Sequence, residues 1–296
     1  MTELLFLGTG CMQPTKMRNH AGVLLQFKAE NILFDCGEGI QRQMRMAGIK
    51  PAKVTKLCIS HFHGDHVFGI PGLMSSMGAD QFAGKLHVYG PKGTKKYLEN
   101  LWRSFAAKDI IEHDITEVES GVIFENDEFL LEAQPLKHSV PCIGYRFVEK
   151  DRRRIRVAAA KKLGLEGPIL GKLQQGKDVV VGSRKIKADE VTYLVSGKTV
   201  SYVTDTMRCD GVNTLAKDCD VLVLEGTLMD DLKSNAVKTK HLTVKQAALI
   251  ASENNAKKLI VTHISQRYKT SSQLLEEAQQ YFPDSTIAED FMKITI

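Results

Sequence analysis

Between Ser60 and His66 the chain reads SHFHGDH, three histidines and an aspartate split by Gly64 and placed directly after the apolar run KLCIS. A short apolar run of this kind reads as a strand, whose side chains alternate between two faces. Donors bunched just past its end belong instead to a turn, where they can converge on metal ions. Any fold built around this box must bring other donors to the same place.

Other strand ends supply them. EFLLEAQPLKH ends in His138, TVSYVTDT offers Asp205 and KLIVTHIS offers His263. In an α/β sheet, residues just past the carboxyl ends of strands gather in the crevice where ligands bind. His61, His63, Asp65, His66, His138, Asp205 and His263 then make seven ligands, enough for two ions with positions left for water. Asp205, with two oxygens, is the natural bridge. Imidazole and carboxylate without thiolate suit Zn2+ best, with Mn2+ or Fe2+ compatible. Two such ions activate water near neutral pH and stabilise both oxygens of an in-line displacement at phosphorus, which favours a phosphodiester over an amide. His241 opens HLTV ahead of a helix and is a candidate general acid; Glu225, ending VLVLE, is placed to orient it. His20, His87 and His113 stand away from these strand ends and read as structural or exposed.

The rest of the chain alternates in the manner of an α/β protein. LLFLG, AGVLLQF, NILFDCG, KLCIS, LHVYG, EFLLEA, YLVSGKTVSYVT, DVLVLE, KLIVTH and FMKITI read as strands. GIQRQMRMAG, GTKKYLENLWRSFA, TVKQAALIASENNAKK and SQLLEEAQQYF read as helices, the third capped by Thr243. SGKT at Ser196–Thr199 has the wrong spacing and the wrong following element for a phosphate loop and reads as a hairpin turn. No apolar run is long enough to span a bilayer, the start lacks a basic signal-peptide region, and six scattered cysteines form no C-x-x-C pair, so a cytoplasmic protein without disulfides is expected.

Charge is uneven. Residues 148–187 hold twelve Lys/Arg against four Asp/Glu, a net of +8 within a chain of net +5, which leaves −3 for the remainder. This segment, broken by Gly167 and Pro168, reads as an insertion between two α/β halves whose position shifts it from a solvated excursion toward nucleic-acid binding.

The HFHGDH box, the LGTG start, FDCGEG and the distributed ligands together resemble the metallo-β-lactamase superfamily, and within it the ribonuclease Z family of transfer RNA 3′-processing endonucleases, over essentially the whole chain. PTKMRN, VFGIPGL, HLT, HISQRY and the EGPILGKL tip of the basic segment carry the narrower likeness. The resemblance implies one domain over residues 1–296, a four-layer αβ/βα sandwich with a protruding basic arm at 148–187, two zinc ions per subunit and precursor transfer RNA as substrate. It also implies a homodimer in which one subunit's arm presents RNA to its partner's active site. His61, His63 and His138 would hold one ion, Asp65, His66 and His263 the other, with Asp205 bridging. Asp65, His241 and Glu225 would be catalytic, and Pro14, Lys16, Arg18, Asn19, Gly167 and Pro168 would contact substrate. Two alternatives differ in what they need: a small-molecule sulfatase or phosphodiesterase has no use for the arm, and a non-catalytic RNA-binding protein has no use for all seven ligands.

Overall fold

The computed structural model describes residues 2–104 and 111–296. The helix expected over 93–106 is seen as Thr94–Arg103, and its last two residues, Phe105 and Ala106, lie outside the described residues. The chain divides into two compact units, one of Met1–Phe124, Leu131–Phe147 and Thr199–Ile296, the other of Glu125–Leu130 and Val148–Lys198.

Two seven-stranded sheets make the frame. One runs, in spatial order, Lys293–Thr295, Thr2–Gly8, Gly22–Phe27, Glu30–Phe34, Lys56–Cys58, Leu86–Gly90 and His113–Glu117. The other runs Ser285–Ile287, Leu259–Thr262, Val221–Glu225, Thr199–Val203, Cys142–Glu149, Phe129–Leu136 and Gly121–Glu125. Each contains a block of parallel neighbours, and VLVLE and LIVT are buried along their full length, as strands covered on both faces must be.

Alternation along single strands sorts the layers. Leu33 joins Leu24, Leu57, Met44 and Leu73 in a cluster with the helices Ile40–Met46 and Ile70–Ala79. Its neighbour Phe34 turns the other way and stacks on Tyr202 of the second sheet at 5.1 Å, while Phe27 meets Phe147 at 5.3 Å. Beyond the second sheet, Ala247 and Ile250 of the helix Val244–Glu253 pack with Leu274, Leu222 and Val261. The order is helix, sheet, sheet, helix, the expected αβ/βα sandwich. Thr243 caps its helix as expected, and the cap is reciprocal: the Gln246 N–H donates to Thr243 Oγ1, and the Thr243 N–H donates to Gln246 Oε1 at 2.9 Å.

Two expectations are corrected. YLVSGKTVSYVT is two strands, Thr192–Val195 and Thr199–Val203, and SGKT is not a hairpin turn between them. The first pairs antiparallel with Arg152–Ile155 and the second parallel with Val221–Glu225, so Ser196–Lys198 carries the chain from one sheet to another. The strand Cys142–Glu149, source of Tyr145 and Phe147, goes unseen in the sequence because Gly144 and Arg146 interrupt its apolar run.

The basic unit has a core of its own in Ala160, Leu165, Leu173, Val179, Ile186, Ala188 and Val191. Its helix Pro168–Gln174 starts with Pro at its first position and follows Gly167 at φ +66°, where a side chain would be strained. Among the described residues no helix is long and apolar enough to cross a membrane.

Candidate metal centre

All seven expected donors converge. His61 and His63 lie on the turn after Lys56–Cys58, with Asp65 and His66 following in the short helix Gly64–Val67. His138 lies two residues past Phe129–Leu136, Asp205 two past Thr199–Val203, and His263 directly after Leu259–Thr262. Asp205 and His263 have φ of +49° and +60°, a left-handed conformation costly for side-chain-bearing residues, which turns both side chains out of their strands toward one point.

Donor atoms of His61, His63, His138 and Asp205 form one group, and those of Asp65, His66 and His263 another, each within 4.8 Å of one another. His61 Nε2 lies 3.0 Å from His63 Nδ1, which lies 3.3 Å from His138 Nε2. In the second group His66 Nε2 lies 3.3 Å from His263 Nε2, and each is 3.5 Å from Asp65 Oδ2. Asp205 faces both: Oδ2 is 3.6 Å from His61 Nε2 and 3.8 Å from His138 Nε2, and Oδ1 is 3.5 Å from His66 Nε2 and 3.2 Å from His263 Nε2. Tetrahedral zinc with bonds of about 2.0–2.1 Å sets its ligand atoms roughly 3.3 Å apart. The donor set therefore fits two such ions sharing Asp205, in both spacing and chemistry.

The far side of the rings is anchored too, which settles which nitrogen faces inward. The Nδ1–H of His61 donates to Ser60 Oγ at 3.0 Å, that of His138 to the Lys240 carbonyl at 3.2 Å, and that of His263 to Thr227 Oγ1 at 3.1 Å. The Nδ1–H of His66 donates to Asp35 Oδ2 at 2.8 Å. Such anchors hold ring orientation and raise ligand basicity. Asp35, fully buried at φ +57°, also accepts from the Ser60 N–H, the Ser60 hydroxyl and the Tyr202 hydroxyl.

Electrostatics separates the two groups. Burial pushes His61, His63 and His138 below the ordinary imidazole range, keeping them neutral with lone pairs available. Burial opposes charge on His66 as well, but Asp205, Asp35 and Asp65 outweigh it and hold the ring at about 9. His263 is likewise held high, against burial, with Asp205 the leading carboxylate. A divalent cation supplies the positive charge these carboxylates call for.

His241 lies beside the donors, its ring centroid 5.3 Å from that of His138 and 5.5 Å from that of His263. Its Nδ1–H donates to Glu225, with Nδ1 3.0 Å from Oε1 and 3.1 Å from Oε2. Glu225 is fully buried and also accepts from the Thr206 N–H and the Thr227 hydroxyl. Burial works against charge on His241, and Glu225 outweighs it, so the ring stays protonated above the ordinary imidazole range.

Among the expected substrate contacts, Pro14 and Lys16 are exposed and Asn19 is half-buried with its Nδ2 donating to the Glu38 carbonyl. Arg18 is buried, and its guanidinium donates to Thr9 Oγ1, the Ala288 carbonyl and Ser271 Oγ. The loop borders a cavity of about 660 Å³ that Tyr268, Lys269 and Glu289 also line. Gly167 and Pro168, both exposed, belong to the separate basic unit. His87 pairs with Asp114 at 3.0 Å, and His113 donates to the Ile111 carbonyl, both outside the donor set. Sequence reasoning passed over Asp35, Tyr202 and Thr227. Asp35 was within reach, since a carboxylate ending an apolar strand is the signal that picked out Asp205.

The chain is similar to known proteins along its whole length. Residues 171–264 match a family model described as a beta-lactamase superfamily domain, and residues 2–122 match one described as anti-Pycsar protein Apyc1. The chain is 40% identical over 298 residues to ribonuclease Z of Methanothermobacter thermautotrophicus, covering 100% of this chain and 97% of that one. It is 39% identical over 303 residues to ribonuclease Z of Bacillus subtilis, covering 99% of each. The crystal structure of human tRNase Z, short form, superposes with a TM-score of 0.74 at 26% identity over 99% of both chains. Likeness of that extent, running through the donor strands and the basic unit alike, places the chain in the ribonuclease Z family.

Proposed function

We propose that the protein is an endoribonuclease that removes 3′ trailers from precursor transfer RNA, cutting after the discriminator nucleotide to leave a 3′ hydroxyl. The observation that carries this reading is full-length likeness to ribonucleases Z in a chain whose seven donors still converge around a shared Asp205.

His61, His63 and His138 would hold one zinc ion and Asp65, His66 and His263 the other, with Asp205 between them. When bound, the ions supply activation of water and stabilisation of the oxygens at phosphorus. The remaining steps belong to the chain. Ser60, Asp35, Thr227 and the Lys240 carbonyl orient the ligand rings. Glu225 ties His241 through Nδ1, which leaves Nε2 to carry the proton delivered to the departing 3′ oxygen. Lys16 and the cavity beside its loop would receive the trailer, and the Lys/Arg of the basic unit would hold the body of the transfer RNA through its phosphates. A homodimer that shares arms between sites completes the proposal.

The test is incubation of the purified protein with a 3′-extended precursor transfer RNA, with and without chelator, mapping the cut to the nucleotide. A single chelator-sensitive cut after the discriminator is expected. Efficient turnover of a small phosphodiester without any cut in the precursor would favour a small-molecule hydrolase instead.

A further inference from the structure

His20 stands outside the donor set, yet it is only 6% exposed and sits where the loop Met12–Asn19 re-enters the body of the unit. Gly10 and His20 form an isolated bridge, and the Gly10 N–H donates to the Asn19 carbonyl at 2.9 Å, so the loop leaves and returns through one neck. Space for the residue is reserved on both sides. A Cβ on Gly8 would fall 1.7 Å from the His20 carbonyl oxygen, and one on Gly37 would fall 2.4 Å from the His20 Cβ.

The ring reaches back across that neck. His20 Nε2 lies 3.1 Å from the Met12 carbonyl, and since a carbonyl only accepts, Nε2 carries the proton. Met12 has φ +57°, and this left-handed turn aims its N–H at Asp65 Oδ2 at 2.8 Å. That oxygen is the one facing both His66 Nε2 and His263 Nε2. The other ring nitrogen, Nδ1, is buried with no partner among the described residues. A residue serving packing alone would do better as an apolar side chain.

We propose that His20 is a positioning residue for Asp65: its Nε2–H clamps the Met12 carbonyl, which holds the Met12 N–H on Asp65 Oδ2 and keeps that oxygen aimed at the His66–His263 group. The inference rests on the metal-dependent reading above and extends it to a residue outside the donor set. Its consequence is selective, because only the group containing Asp65 depends on the clamp.

Two variants test it. His20→Leu keeps bulk and loses the donor, and His20→Gln keeps an Nε2 donor at similar reach. Zinc-loaded proteins are titrated with a chelator to resolve the affinities of the two sites, and the melting temperature of each metal-free protein is measured alongside. His20→Leu should lose one zinc about 10- to 100-fold more readily, the usual scale for a partner behind a ligand, and keep the other as in the wild type. His20→Gln should recover most of the loss, and the metal-free melting temperatures should stay together. If His20→Leu binds both ions as tightly as the wild type, or weakens both alike with a lowered metal-free melting temperature, His20 is a packing residue and the proposal fails. Should His20→Leu not fold, His20→Asn replaces it. Its amide is too short for Met12, so zinc affinities equal to those of His20→Gln would overturn the clamp. A wild-type protein that binds no zinc overturns the metal reading itself.

Discussion

An imidazole with a carboxylate at its back serves equally as a strong ligand or as a proton donor, and two residues at the donor cluster have that form: His66 on Asp35 and His241 on Glu225. Their neighbours differ: His66 shares a donor group with Asp65 and His263, whereas His241 shares one with Asp205 and His263, both of which already belong to the expected ligand set. If His241 is the general acid, His241→Ala should lower turnover by roughly 10²- to 10⁴-fold at unchanged zinc content and RNA affinity. A substrate with sulfur as the leaving atom departs without protonation and should recover much of the lost rate, measured by single-turnover cleavage. Loss of zinc, or no recovery with the sulfur substrate, would make His241 a ligand or a structural residue. The donors themselves were legible in the sequence because each ends an apolar run, a local pattern. Tyr202, Thr227 and the Met12 N–H were not, because hydroxyls and backbone groups are common everywhere and only the packed sheets decide which of them meets a ligand ring.

The basic unit poses the same question for an element. Its charge was readable as composition, but its extent was not. Glu125–Leu130 belongs to it through contacts remote in sequence, such as the Lys150 N–H to the Glu128 carbonyl and the Lys150 ammonium to Glu125. The pairing Arg152↔Val195 and the Gly197 N–H on Asp151 Oδ1 put the two ends of the excursion side by side. Removing residues 152–195 and closing the gap with two glycines should therefore leave the flanking strands in register. The shortened protein should lose most of its cleavage of precursor transfer RNA while hydrolysing bis-p-nitrophenyl phosphate at the wild-type rate. The wild-type preference for RNA should fall steeply with salt, since each neutralised phosphate releases counterions. Equal loss on both substrates would make the excursion part of the catalytic body.

At the scale of the whole molecule, the donors are divided between the two sheets: the His61–His66 turn follows a strand of one, and His138, Asp205 and His263 follow strands of the other. The centre exists only when the sheets are packed, and the Phe34–Tyr202 stack that packs them also delivers the Tyr202 hydroxyl to Asp35. Asp205 presents one carboxylate oxygen to each group, so Asp205→Ala should abolish cleavage and lower zinc content while circular dichroism stays near the wild type. That variant keeps its basic unit, and the 152–195 deletion keeps its donors. The two defects are complementary only if the arm of one subunit serves the site of another. Co-expressed in equal amounts, the two chains should pair at random, so that half the dimers are mixed and each mixed dimer has one working combination. Activity on precursor transfer RNA should then return to about a quarter of the wild-type level per chain. Activity no higher than that of the separate variants would mean that each arm serves its own site or that the chain acts as a monomer, a distinction that sedimentation of the mixture resolves.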